Sequence, residues 1–237
     1  MRTALITGAS KGLGLALADR LADQPEPWHL ILTARGHDAL AVAEAQLRSR
    51  TTVTVVPGDV ADPVHRDRLA DVVGQTGRLD LLVNNASDLG PSPLPAVVDI
   101  DPDRLLALYR TNVVAPIALV RTLLPALRAT TGTVINISSD AAVGHWPGWG
   151  PYGSAKAALD HLSAVLAEEE PALHVHAFDP GDMRTDMHQA AFPGEDISDR
   201  PEPSTVPPAI LRLLRDQPPS GRYRAAELLA ATTGVGA

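Results

Sequence analysis

Thr7-Gly8-Ala9-Ser10-Lys11-Gly12-Leu13-Gly14 follows the short apolar run Thr3 to Thr7 and leads into an apolar-periodic stretch, Leu13 to Ala22. The order reads as strand, tight turn, helix. Glycine allows a sharp reversal there and lets backbone N–H groups approach a diphosphate, which the dipole of the following helix attracts. The spacing Gly-x-x-x-Gly-x-Gly departs from the usual dinucleotide fingerprint. No Gly-Lys-Ser/Thr follows, which disfavours a nucleoside-triphosphate loop. Gly8, Ser10, Lys11, Gly12, Leu13 and Gly14 are therefore candidate cofactor-binding residues.

The same rhythm continues outward from this turn. Apolar or β-branched runs recur at His29 to Ala34, Thr52 to Val56, Leu79 to Val83, Thr133 to Ser138 and Leu173 to Phe178. Helix-spaced apolar positions lie between them, at Ala39 to Arg48, Arg66 to Val73, Arg104 to Ala129 and Tyr152 to Glu169. Right-handed crossovers then require a mostly parallel sheet covered on both faces by helices. The expected fold is one doubly wound, Rossmann-like α/β domain over residues 1–237, with a central parallel sheet of six or seven strands. With 237 residues, 45% of them apolar, the chain can bury one large core. Prolines cluster at 91–95, 193–208 and 218–219, which reads as loops. The irregular stretch from Phe192 to Pro208 belongs to a short substrate loop at about 186–208.

Composition excludes several classes. Zero cysteines rule out a disulfide framework and the commonest zinc sites. No apolar run approaches the ~18 residues of a membrane span, and no basic, greasy leader opens the chain, so a cytoplasmic protein without membrane contact is expected. A net charge of −8 without any Lys/Arg block argues against nucleic acid as a partner. Of 20 basic residues only Lys11 and Lys156 are lysines. His174 and His176 alternate on one strand face but have no third ligand nearby, so no metal site is expected.

Ligands of open α/β sheets bind beyond the carboxyl ends of the strands, and here those ends carry Gly8 to Gly14, Arg35, Asp59, Asn84 with Asn85, Ser138 with Ser139, and Pro180 with Gly181. At the end of the second strand an acid would accept a bond from an adenosine ribose hydroxyl; Arg35 would instead pair with a 2′-phosphate, and with Lys11 nearby this points to NADP. Tyr152 and Lys156 stand four apart at a helix start, on one face. An ammonium group beside a phenol lowers its proton affinity from near pKa 10, as acid–base work at neutral pH requires. Ser139, at the tip of the preceding strand, can be brought beside Tyr152. Asn112 lies on the apolar face of a long helical pattern, where an amide needs partners. Pro116 lacks the N–H that would close the helical bond to the Asn112 carbonyl, freeing that carbonyl for water or another group. Trp146 and Trp149, with His145 beside them, lie between Ser139 and Tyr152 and are expected to wall a substrate pocket.

These motifs together resemble the short-chain dehydrogenase/reductase family over nearly the whole chain. They are Thr7-Gly8-x-x-x-Gly12-x-Gly14, Asp59-Val60, Asn84-Asn85-Ala86, Asn112, Ser139 thirteen residues before Tyr152, Tyr152-x-x-x-Lys156, and Pro180-Gly181 followed by Thr185. The resemblance implies that Tyr152 gives or takes the proton and that Lys156 holds the nicotinamide ribose and lowers the phenol's pKa. It also implies that Ser139 steadies the substrate oxygen and Asn112 anchors a water in a proton relay. Asp59 and Val60 would meet the adenine, Asn85 and Ala86 would line the adenosine side, and Pro180 to Thr185, Met183 included, would embrace the nicotinamide. Three departures stand out: Ser87 where Gly is usual, Asp179 where Asn is common, and no glycine-rich segment after a clear last strand. The last favours a homodimer over the homotetramer common in the family.

The function so implied is NADP(H)-dependent hydride transfer between a nicotinamide and a small carbonyl/alcohol pair. A catalytically silent dinucleotide-binding regulator or scaffold is the alternative, although such a module has no need of all four of Asn112, Ser139, Tyr152 and Lys156. A sugar-nucleotide epimerase would need a larger region after Met187.

Overall fold

The computed structural model describes residues 1–230. Seven strands form one parallel sheet: β1 (Arg2–Thr7), β2 (Trp28–Thr33), β3 (Thr52–Val55), β4 (Leu81–Asn84), β5 (Thr133–Ile137), β6 (His174–Asp179) and β7 (Gly221–Arg224). Their spatial order is β3-β2-β1-β4-β5-β6-β7, so the direction of winding reverses between β1 and β4. That reversal opens a crevice beyond the strand ends, the usual ligand position in such sheets. The helices are α1 (Gly12–Ala22), α2 (His37–Leu47), α3 (Pro63–Thr76), α4 (Pro102–Tyr109), α5 (Ala115–Arg128), α6 (Gly150–Glu169), α7 (Asp186–Ala191), α8 (Pro207–Asp216) and α9 (Ala225–Ala230).

The inner strands are apolar through their middles, Ala4, Leu5 and Ile6 in β1 and Leu30, Ile31 and Leu32 in β2, because both faces of the sheet are covered there. Ala4 and Ile6 of β1 join Leu30, Leu32, Ile135 and Phe178 against Leu17 and Leu21 of α1 and Ile210 and Leu213 of α8. Leu5, between them, points the other way and joins Ile31, Leu82 and Val134 against Leu69 of α3 and Leu123 and Leu127 of α5. A strand alternating between two apolar layers cannot shift its register by one residue without exchanging those layers. The strand ends that form the crevice are thereby fixed.

Three features differ from the sequence reading. The single helix expected over Arg104 to Ala129 divides into α4 and α5, joined by a wide π turn over Arg110–Val114, where the Ala115 N–H reaches the Arg110 carbonyl. Pro116 cannot donate within that turn, and an extra residue per turn absorbs the missing bond. Pro207 and Pro208, read as loop, open α8, because a first helical turn needs no N–H from its leading residues. The expected loop at 186–208 likewise contains a helix, α7, capped by Thr185, whose side chain accepts from the His188 N–H. The four-residue β7 completes the sheet at seven strands; its Arg-Tyr-Arg pattern has no apolar run to announce it.

Candidate active site

The carboxyl ends of the strands enclose one cleft of about 700 Å³, within the range of small-molecule sites. At its first end lies the glycine turn. Gly8 has φ +65°, and a Cβ there would meet the Asn85 side chain at 2.8 Å and the Ala86 backbone at 2.9 Å. Gly14 packs so closely that a Cβ would stand 2.5 Å from the Gly8 carbonyl oxygen. The turn is locked from the far side: Thr7 Oγ1 accepts from the Asn85 and Ala86 N–H groups, and Asn85 Nδ2 donates to the Thr7 and Gly8 carbonyls. Asn85 and Ala86 thus set the turn's shape as well as lining the cleft. No side chain caps α1 and its first turn holds no acid, so its amide groups are open to an anion.

Beside the turn the cleft is lined by Ala34, Arg35, Gly36, Gly58, Asp59 and Val60. Arg35 is exposed and, among the described residues, makes no ion pair or hydrogen bond that would occupy it. Asp59 Oδ1 accepts from the Ala61 N–H, which fixes its orientation. Lys11 does not stand free beside Arg35. Its Nζ lies 2.5 Å from Asp186 Oδ2, bridging the glycine turn to α7 across the cleft mouth. A turn shaped by close backbone contact and an open helix end suit a dinucleotide.

Ser139, Tyr152 and Lys156 line the opposite end together with Pro180, Gly181, Met183 and Thr185. Lys156 is 2% exposed. Its Nζ donates to the Ile137 carbonyl at 2.7 Å and lies 5.5 Å from the centre of the Tyr152 ring. Burial drives its pKa down to about 8, against the opposing charge of Asp160. Tyr152 is 8% exposed. Burial raises its pKa to about 12, hydrogen bonding to Ser87 and Ser139 opposes this, and the negative charges of Asp140 and Asp179 add to it. Burial thus favours the neutral form of both side chains, and the Lys156 ammonium is turned toward a backbone carbonyl.

Asn112 is buried outside the cleft wall. Its Nδ2 donates to the Asp88 carbonyl, and its Oδ1 accepts from the Asp88 N–H, each at 2.7 Å, and from Ser87 Oγ at 3.2 Å. The wide turn therefore holds the 87–88 segment against Tyr152. Ser87, noted in the sequence only as a departure, proves to be a hydroxyl shared by Asn112 and the phenol. Ser139 Oγ donates to Asp140 Oδ1 at 3.0 Å and accepts from the Ala141 N–H.

Of the expected substrate wall, Trp149 is present. It meets Tyr152 edge-on at 5.7 Å and Phe192 at 6.0 Å. Trp146 is 47% exposed and His145 is exposed, and neither lines the cleft. The chain between Ser139 and Tyr152 runs out to solvent before Trp149 returns as the residue preceding α6. Leu89, Met187, His188 and Ala191 complete the wall. Sequence reading placed Met187, His188 and Ala191 within the substrate loop at about 186–208 without singling them out, and missed Leu89, which lies in a segment with no periodicity to aim it inward.

The sequence pattern of the short chain dehydrogenase family matches residues 2–196. The chain belongs to this family. Sepiapterin reductase of Bos taurus is similar, 34% identical over 199 residues that cover 79% of this chain and 74% of the relative. An uncharacterized oxidoreductase of Saccharomyces cerevisiae is 35% identical over 184 residues, covering 77% and 71%. Among solved structures, a short-chain dehydrogenase from Streptomyces avermitilis superimposes with a TM-score of 0.81 at 30% identity, covering 98% of this chain and 92% of that one. A Shigella flexneri short chain dehydrogenase complexed with NADP gives 0.86 at 27% identity, covering 95% and 97%. Short chain dehydrogenases are oxidoreductases that use nicotinamide cofactors, and the cleft has the parts such a cofactor needs. No helix among the described residues is long and apolar enough to cross a membrane.

Proposed function

We propose that this short chain dehydrogenase interconverts a small carbonyl compound and its alcohol with NADP(H), using Tyr152 as general acid and base. The observation that carries the reading is the convergence of Ser139, Tyr152 and Lys156 on one wall of the cleft that begins at the glycine turn. Residues 8–13 would hold the diphosphate, Arg35 the 2′-phosphate, Asp59 and Val60 the adenine. Lys156 and the segment Pro180–Thr185 would hold the nicotinamide end. When bound, the reduced cofactor supplies a hydride. The chain itself supplies the proton, the fixed hydroxyl and a dry wall.

A phenol with a pKa near 12 keeps its proton at neutral pH. That state suits reduction, in which Tyr152 gives its proton to the carbonyl oxygen as negative charge develops there. Ser139 can turn its hydroxyl from Asp140 to the same oxygen and hold it. Trp149, Leu89, Met187 and Ala191 keep bulk water from the reacting oxygen, which strengthens both interactions. Asn112 acts one contact further back by fixing Ser87. The exposed Leu106 and Val114 on α4 and the wide turn are consistent with a homodimer, tested by light scattering of the purified chain.

The deciding experiment is titration with NADPH and NADH, followed by a carbonyl panel monitored through cofactor oxidation. The panel holds aldehydes, ketones, quinones and, because sepiapterin reductases are similar, sepiapterin. Preference for NADPH with turnover is expected. Tight binding without turnover on the whole panel would favour a silent dinucleotide-binding protein, and no binding would overturn the reading.

A further inference from the structure

Behind the cleft, Arg222 of β7 gathers three of the segments that build it. Its Nη2 donates to the Ser139 carbonyl and to Asp179 Oδ2, each at 3.0 Å, and its Nε donates to Asp160 Oδ2 at 3.0 Å. Asp179 ends β6, is 2% exposed, and through Oδ1 accepts from the Gly181 N–H that begins the Pro180–Thr185 segment. Asp160 lies one helical turn beyond Lys156 on α6, on the same face. Its Oδ1 is buried and has no hydrogen-bond partner among the described residues. A buried carboxylate, a partly buried one and one arginine thus stand directly behind the three residues assigned to the chemistry.

A carboxylate withdrawn from water needs a counter-charge, and Arg222 supplies it to the buried Asp179 and the partly buried Asp160. Asp179 stands where the family commonly has Asn, and Arg222 accounts for it: an amide in that place could not match the guanidinium's charge. The half-partnered Asp160 has charge left over for its neighbour on the helix, Lys156, whose own hydrogen bond goes to a neutral carbonyl.

We propose that Arg222 and Asp160 are positioning residues of the active site, Arg222 tying the Ser139 backbone to the Pro180–Thr185 segment and Asp160 holding the charge of Lys156. The proposal rests on the reductase reading for its purpose, but its test does not need turnover. The charged and titratable groups that face Lys156 are Tyr152 and Asp160, both on α6; Asp140 beyond β5 and Asp179 at the end of β6 act on Tyr152, and Arg222 on β7 pairs with Asp160 and Asp179.

Because Lys11 and Lys156 are the only lysines, protein grown on lysine labelled with ¹³C at the ε carbon gives two side-chain signals by NMR. The Lys11→Arg variant assigns them. Asp160→Asn keeps shape and most hydrogen bonding while removing the charge, and should lower the pH at which Lys156 titrates by about one unit. Arg222→Gln frees both carboxylates and should raise it. With an active carbonyl substrate, Arg222→Gln should also lower kcat about tenfold with little change in KM, and Arg222→Lys should recover part of the loss. A Lys156 titration unchanged in folded Asp160→Asn protein overturns the proposal. A wild-type protein that binds neither nicotinamide cofactor overturns the reductase reading instead, and the lysine titration still stands by itself.

Discussion

Ser87 shows how one hydroxyl can bear on the state of the Tyr152 phenol, the proposed general acid and base. Asn112 is held in one orientation by both polar groups of Asp88, so its Oδ1 faces Ser87, and Ser87 must donate to it. While Tyr152 is a phenol, Ser87 can therefore only accept from it; once a phenolate forms, the serine proton can swing to the new charge. Ser87→Ala removes that response. Alcohol oxidation, which needs the phenolate, should lose about 2–10-fold at a fixed pH, the worth of one hydrogen bond. Its pH profile should move alkaline by about half a unit to one unit, while carbonyl reduction changes less. Equal losses in both directions with unmoved profiles would contradict this role. Tyr152→Phe is the companion test: turnover should fall on the order of 10²–10⁴-fold with NADPH affinity held within a few-fold, measured by steady-state kinetics and fluorescence titration.

At the scale of elements, the residues that repeat with a period were legible in the sequence and those that act singly were not. The first six strands and the glycine turn follow from apolar or β-branched runs and their spacing, because the inner strands are buried on both faces. Ser139 could be placed at a strand end for the same reason, and Tyr152 and Lys156 on one face of a helix by their spacing of four. Arg222 could not: its strand is four residues long, polar, and recognisable only from its pairing with β6. Trp146 and Trp149 look alike in sequence, and only the path of the chain separates the exposed ring from the one on Tyr152. That same edge of the sheet makes a prediction about acid stability. His176 on β6 is fully buried, stacked against His174 and edge-on to Tyr223, and neither ring nitrogen has a hydrogen-bond partner among the described residues. Burial, then the charge of His174, holds its pKa down to about 4. Between about pH 4 and 6.5 the unfolded chain binds a proton there that the folded chain refuses, so stability is full above that window and falls as pH drops through it. The loss attributable to His176 should reach up to about 3 kcal/mol. Urea unfolding of His176→Phe should show a flatter acid limb than wild type. His65 and His29, whose pKa values are also lowered by burial, add to the slope that remains, as do the carboxyls of Glu170, Asp196 and Asp216, held low by their hydrogen bonds.

For the whole molecule, the central question is how a chain of net charge −8 attracts an anionic cofactor. The cations at the cleft are local, and two of them are already engaged: Lys11 with Asp186, and Arg184 with Glu202. Both acids line the cleft as well, so phosphate oxygens would compete with carboxylates for Lys11 and Arg184. Arg35 has no such competitor among the described residues, and the preference for a 2′-phosphate should therefore rest mainly on it. A ligand at about 100 times its Kd stabilises the folded state by about 2.7 kcal/mol. For a domain of this size that corresponds to a rise in Tm of roughly 5–10 °C. NADPH should produce that rise, and NADH at equal concentration a smaller one. Arg35→Ala should weaken NADPH by roughly 10–100-fold, the worth of a charge-assisted hydrogen bond, and bring the two cofactors' shifts together. Added salt should weaken NADPH more than NADH in the wild type, because the exposed Arg35 contact is screened. A variant that loses NADPH and NADH equally would place the discrimination elsewhere in the cleft and leave Arg35 as an ordinary surface charge.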